Sequence, residues 1–288
     1  MGGPQRTPEV RVRATRMINY TERITLLIDD LVKRVPGLRY IDPTTLLVFA
    51  RFGRSHADGA YATCHCLTLP SSDPGYYFWR DRRSGAITRR SEWFITKSPT
   101  VELGAKPIEY LISFCLPRFC DQSFARSRKH SLYPDAEPWV AKLDTIVHEL
   151  YHVDPTRCGI RRILRADGSL SPYAHSPEFF TDVARMVRGY LATGPDPAMY
   201  DFLREDFTGL TAKYGGMVGT TFKGFPSYPQ RYTEVASDQP ELRDLPVRIE
   251  PLKRPALQTR YTSDDLYVRQ FLADTSRRLV RTGEHRAA

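Results

Sequence analysis

His148 and His152 stand four residues apart in a segment whose apolar residues recur at helical spacing. Trp139, Val140, Leu143, Ile146, Val147 and Leu150 form one stripe, and Asp144, His148 and His152 fall largely off it. A helix of this pattern has to lie between two environments, an apolar core on one side and a cleft on the other. Asp135 and Glu137 suit the dipole at a helix start, and Pro138 suits a first-turn position. Pro155 stops the helix soon after His152. The spacing predicts a helix over 138–153 with both imidazoles on one face.

Glu149 completes an H-E-x-x-H pattern over 148–152. Imidazoles at i and i+4 can converge on one metal ion, and the glutamate beside the first can act on a metal-held water as a general base. The expected metal is Zn²⁺, and the expected chemistry is hydrolysis, usually of a peptide bond. A catalytic zinc takes three protein ligands and keeps one position open. The other histidines are His56, His65, His130, His175 and His285. His175 is the best placed, because Ser176 reads as an N-cap and Pro177 as the first helical residue behind it. Phe179, Val183, Met186, Val187, Tyr190 and Leu191 give that second helix an apolar face. Glu178, Asp154 and Asp182 compete with His175 for the third position. Tyr151, Tyr173, Tyr190 and Tyr214 are candidates for stabilising a developing oxyanion, each with a buried structural role as the commoner alternative.

The run LDTIVHELYHV, followed by HSPEFF and preceded by YLISFCLPRF, resembles the SprT-like and phage-type metallopeptidases over roughly residues 40–195. The resemblance implies an α+β fold with a zincin-like metallopeptidase domain: a mixed or antiparallel sheet packed on the active-site helix, then further helices. It also implies His148, His152 and His175 as zinc ligands and Glu149 as the base. Two departures stand out. Ser176 occupies a position where the SprT-like proteins usually carry glycine, and no cysteine follows Cys158, so no C-terminal zinc ribbon can form. The second departure weighs against carrying over a DNA-repair role. Besides a protein- or peptide-cleaving enzyme, two other readings follow: a DNA-associated SprT-like protease, and a non-catalytic zinc-binding structural or interaction protein.

Hydrophobic content of 41% and charged content of 26% over 288 residues are ordinary for a soluble globular chain. No apolar run follows the N-terminus and none is long enough to span a bilayer, so a cytoplasmic location without membrane contact is expected. The net charge of +9 favours an anionic partner, but the basic residues are scattered. They predict only weak, non-specific attraction to nucleic acid. Oligomeric state is not encoded in any visible pattern. Of the five cysteines, Cys64, Cys66, Cys115 and Cys120 could build a second zinc site only if their segments were neighbouring strands. Strand alternation explains Cys64 and Cys66 equally as same-face core residues.

Along the chain, residues 1–15 are polar and read as a mobile N-terminus, 16–225 as the metallopeptidase domain, and 226–288 as a C-terminal extension packing on it. A helix is expected over 18–35 and strands over 44–52, 60–69, 75–81, 86–97 and 109–119. The turn RRSG joins the third and fourth strands into a hairpin. Pro117 favours an edge position for the last of these strands, where a substrate could add as a further strand. Helices are expected over 177–193 and 197–213, then a glycine-rich stretch, then an extended arm ending in a short helix near 264–280.

Overall fold

Asn19 opens the first helix by accepting a hydrogen bond from the Glu22 amide, and Lys33 and Arg34 close it at its negative end. The computed structural model describes residues 17–54, 59–69, 75–125, 128–162, 167–169, 174–224, 229–235, 247–251 and 258–271. Among these, β1 (Ile18–Asn19) leads into α1 (Tyr20–Arg34), followed by β2 (Leu46–Gly53), β3 (Ala62–Cys66), β4 (Phe78–Arg80), β5 (Ile87–Ser91), β6 (Phe94–Lys97), β7 (Thr100–Leu103), β8 (Lys106–Pro107) and β9 (Tyr110–Pro117). Then come α2 (Val140–Tyr151), α3 (Pro177–Ala192), α4 (Phe207–Tyr214), β10 (Met217–Phe222), β11 (Tyr232–Val235), β12 (Arg248–Glu250), β13 (Arg260–Tyr261) and β14 (Leu266–Phe271). The architecture is mixed α+β. The expected mobile segment 1–15 lies outside the described residues.

The sheet that positions the site has the order β2-β9-β3, with β2 parallel and β3 antiparallel to β9. Both its faces are covered, which explains the near-continuous apolar runs of β2 and β9. Val48, Ala50, Ile112 and Phe114 join the main core with α1, α2 and α3. Leu47, Phe49 and Leu111 turn the other way into a second core with Val101, Phe222 and Tyr261. Cys64 and Cys66 pair with Ile112 and Tyr110, on the face turned to the main core, whereas Cys115 alternates to the opposite face. Side chains on opposite faces of one sheet cannot share a metal ion. Among the described residues the four thiols form no cluster.

Several expectations need correction. β9 is the central strand, not an edge. Pro117 is its last residue, paired with Gly53, where a missing N–H interrupts no interior rung. The helix expected over 197–213 is broken into two 3-10 turns, Pro197–Met199 and Asp201–Leu203, and the short α4. Asp196 caps the first turn by accepting from the Ala198 amide, and Asp206 caps a new start inside the run by accepting from the Gly209 amide, which interrupts it. The glycine-rich stretch contains a strand. Gly215 ends α4 in the left-handed region, and Gly219 lets β10 approach β2, since a Cβ there would meet the Ala50 Cβ at 3.1 Å. The expected helix near 264–280 is a strand through Phe271, pairing with β10, and the remainder lies outside the described residues. Earlier pieces of the same segment also add as strands: β11 to β6, β12 to β5 and β13 to β7.

Phe271 is 3% exposed and sits in the main core beside Gly219. Phe271→Ala is expected to lower unfolding free energy by about 3–5 kcal/mol, measured by denaturant titration. Unchanged stability would show that the C-terminal strands lie on the surface without anchoring it.

Candidate metal centre

Ten of the twelve residues of α2 are buried, so the helix carries its polar groups into the protein rather than along its surface. His148 projects from its last full turn, and His152 follows as the C-cap in right-handed helical geometry. Val153 closes the turn by donating to the Leu150 carbonyl, and Pro155 follows. His175 precedes α3, whose start is fixed by Ser176 accepting from the Phe179 amide at 3.2 Å and by Pro177 in the first turn. Packing of α3 against α2 brings the three histidines together. Their Nε2 atoms lie 3.2 Å (His148 to His152), 3.0 Å (His148 to His175) and 3.0 Å (His152 to His175) apart.

An aromatic wall fixes the rings. Phe179 lies 5.0 Å from each of the three imidazole centroids, stacked on His152 and edge-on to the other two. Phe180 stacks on His175 at 5.5 Å. Burial pushes His148 down to about 2 and His152 down to about 4, with the neighbouring cations and imidazoles adding to the shift. His175 is lowered too, by burial and then by Lys129. All three rings are therefore neutral at physiological pH, the form that ligates metals.

Protons alone do not satisfy this triangle. Each Nε2 is either an N–H or a lone pair, so among three mutual contacts one pair is always alike. A cation at the centre satisfies all three at once. Tetrahedral ligands about 2.0–2.1 Å from a metal lie about 3.3–3.4 Å apart, close to the observed spacing. These three are, among the described residues, the one group of three or more potential ligands that could hold a metal ion. His148 Nδ1 and His152 Nδ1 are buried and without a hydrogen-bond partner, so the outer hydrogen bonds that commonly orient ligating imidazoles are replaced by aromatic packing.

Glu149 reaches the sheet. Its Oε2 accepts from the Cys64 amide of β3 at 2.7 Å. Burial drives its carboxyl up to about 7, with the Cys64 amide and the Lys129 and Arg51 charges opposing the rise. The competing carboxylates are engaged elsewhere. Asp154 accepts from the Thr156 amide and hydroxyl, Asp182 from Tyr151 and Arg185, and Glu178 is an exposed first-turn acid of α3. Tyr190 donates to Asp30, Tyr214 packs at the end of α4, and Tyr173 lies outside the described residues. Sequence reasoning missed two contributors, the Cys64 amide and the ring of Phe180, and saw Lys129 only as part of the basic set Arg126, Arg128, Lys129 and His130 just before the helix. Lys129 pairs with the buried Asp144, to which Tyr133 also donates at 2.7 Å. The signal for a partner of that cation was Asp144, four residues before His148 and off the apolar stripe.

No family model, no curated protein and no solved structure matches this chain. No described helix is long and apolar enough to cross a membrane.

The buried carboxyl makes a pH prediction for the metal-free protein. A raised carboxyl contributes full stability below its unfolded value near 4.5, and this is lost as pH rises through about 7. Metal-free Glu149→Gln should exceed the wild type by about 2–3 kcal/mol at pH 8 and match it at pH 4, in paired denaturant titrations. The lowered histidines act with the opposite sign: their contribution is present above about 6.5 and fades on acidification in both proteins. Equal stabilities at pH 8 would mean that Glu149 is solvated as an ordinary carboxylate.

Proposed function

We propose that this chain is a zinc-dependent metallopeptidase of zincin-like build, in which His148, His152 and His175 hold Zn²⁺ and Glu149 is the general base. The observation that carries this reading is the convergence of three neutral imidazoles beside a buried glutamate from the same helix. When bound, the zinc would polarise the scissile carbonyl and acidify water. Glu149 takes the proton of the attacking water and returns it to the leaving amine. The Cys64 amide holds one of its oxygens and leaves the other to the water. Phe179 and Phe180 pack on the imidazoles, and His175 keeps the cluster open to solvent on its side.

With β9 central, the strand on which a peptide would lie is β3. Among the described residues β3 has a paired strand on one side only, and its Cys64 amide faces the site. An extended protein segment added along that edge runs beside Glu149. The five thiols are all free, which suits the cytoplasm, where we place the protein.

Purified protein should carry about one zinc per chain, and His148→Ala, His152→Ala and His175→Ala should each strip most of it, by elemental analysis. Glu178→Gln should leave it in place. Glu149→Gln should keep the metal while hydrolysis of an unfolded protein substrate drops about 10²–10⁴-fold. Zinc-loaded wild type that cleaves nothing, with Glu149→Gln indistinguishable from it, would leave a non-catalytic zinc site. Absence of metal after refolding with zinc would remove the whole reading.

A weak attraction to nucleic acid is part of the proposal, supported by the +9 net charge and by the sheet β4-β5-β12. Trp79, Arg89 and Arg248 form one cross-strand row there, with the Arg89 guanidinium 4.8 Å over the Trp79 ring. Titration with single- and double-stranded DNA over a salt series should show binding that vanishes near physiological ionic strength. Tight binding that survives there would instead favour a DNA-associated protease.

A further inference from the structure

Hydrolysis leaves negative charge on the former carbonyl oxygen, and that oxygen needs a donor. The described tyrosines nearest in sequence to the ligands are committed. Tyr151 donates to Asp182 at 3.0 Å and Tyr190 to Asp30 at 2.8 Å. A cation, Lys129, stands beside the cluster. Lys129 lies in the 3-10 turn Arg128–Leu132, with its Nζ 5.8 Å from the centroid of Phe180. The same ring borders His175 at 5.5 Å and His148 at 5.9 Å.

Lys129 is held there. Its ammonium pairs with Asp144, whose side chain is 1% exposed and sits one turn before His148 on α2, and the Tyr133 hydroxyl takes the other carboxylate oxygen. Asp144 and His148 share one face of α2, and Lys129 also lies over the Phe180 ring that borders two of the imidazoles, so the ammonium stands on the histidine side of the helix. A buried carboxylate could be neutralised by any cation anywhere on its surface. This one is neutralised from the side of the histidines.

We infer that Lys129 is a catalytic residue of this centre, the donor that meets the oxyanion, with Asp144 and Tyr133 as the groups that position it. The inference rests on the peptidase reading above. The step balances without further reactants. The water oxygen adds to the carbonyl carbon, its proton goes to Glu149, and the carbonyl π pair moves onto the oxygen facing Lys129. The pair then returns, the C–N bond breaks, and the amine leaves with the proton from Glu149.

The test uses the full chain with cobalt in place of zinc and inorganic phosphate as the anionic probe, followed by visible absorption. Lys129→Met should weaken phosphate binding about tenfold or more. The double variant Lys129→Met/Asp144→Asn carries the same net charge as the wild type and leaves no buried carboxylate without a cation. It should remain as weak as the single variant. Recovery of wild-type affinity in the double variant would overturn the inference, because Lys129 would then serve only to neutralise Asp144. Equal affinity in all three proteins, or a wild-type spectrum indifferent to phosphate, would overturn it as well. Failure to take up cobalt would overturn this inference together with the metal centre, whereas the phosphate result stands whether or not peptides are cleaved. Where a peptide is cleaved, Lys129→Met should lower kcat about 10²-fold with KM little changed, and a change in KM alone would contradict the role.

Discussion

A helix buried on nearly every side has to account for each polar group it carries, and α2 does so by sending each to a different part of the chain. Lys142 donates to the carbonyls of Leu203 and Glu205. Asp144 takes Lys129 and Tyr133, Thr145 accepts from Gln122, and Glu149 takes the Cys64 amide. His148 meets His175. One helix thereby fixes the turn before it, the loop after β9, the outer strand of the sheet and the start of α3. These contacts are expensive to lose, because each leaves a buried donor or acceptor unmatched at about 1–3 kcal/mol. The histidine cluster is the member of this set whose three mutual contacts cannot all be hydrogen bonds at once.

What the sequence disclosed and what it hid follow from the range of the interactions involved. α2 and α3 were legible because their signals are local: an apolar stripe, Ser176 and Pro177 at a start, Pro155 beyond an end. His175 could be ranked above Glu178 and Asp182 because a residue just outside a capped start has a defined direction. The partners of Glu149 and Asp144 were not legible, since Cys64 and Lys129 reach them only through tertiary packing. The break at 200–206 failed for a different reason. Asp206 is an ordinary residue within an apolar-periodic run, and only its side-chain capping bond reveals a new helix start.

Pro117 shows how a correct local rule can give a wrong global position. A proline does remove a ladder donor, yet at the final residue of β9 no interior rung is lost, and the other seven residues of the strand are all buried. Burial of both sheet faces would have been the better guide, since TTLLVFA and YLISFC are apolar without alternation. Exchanging the central and outer strands also moves the place for an added peptide. On the reading proposed above that place is β3, whose Cys64 amide meets Glu149 of α2.

The sheet β1-β10-β14 has a consequence in time. Ile18 pairs with Met217, and Met217 pairs with Phe271, so the start of α1 is tied to a strand made about 200 residues later. At ribosomal speeds this is a wait of about 10–40 s between the emergence of the two partners. β2 and β9 are made early in that interval, and α2 and α3 only towards its end. The apolar face of α1 can therefore meet β2 early, but the part of it that packs on β10 stays uncovered until residues 217–222 have been made.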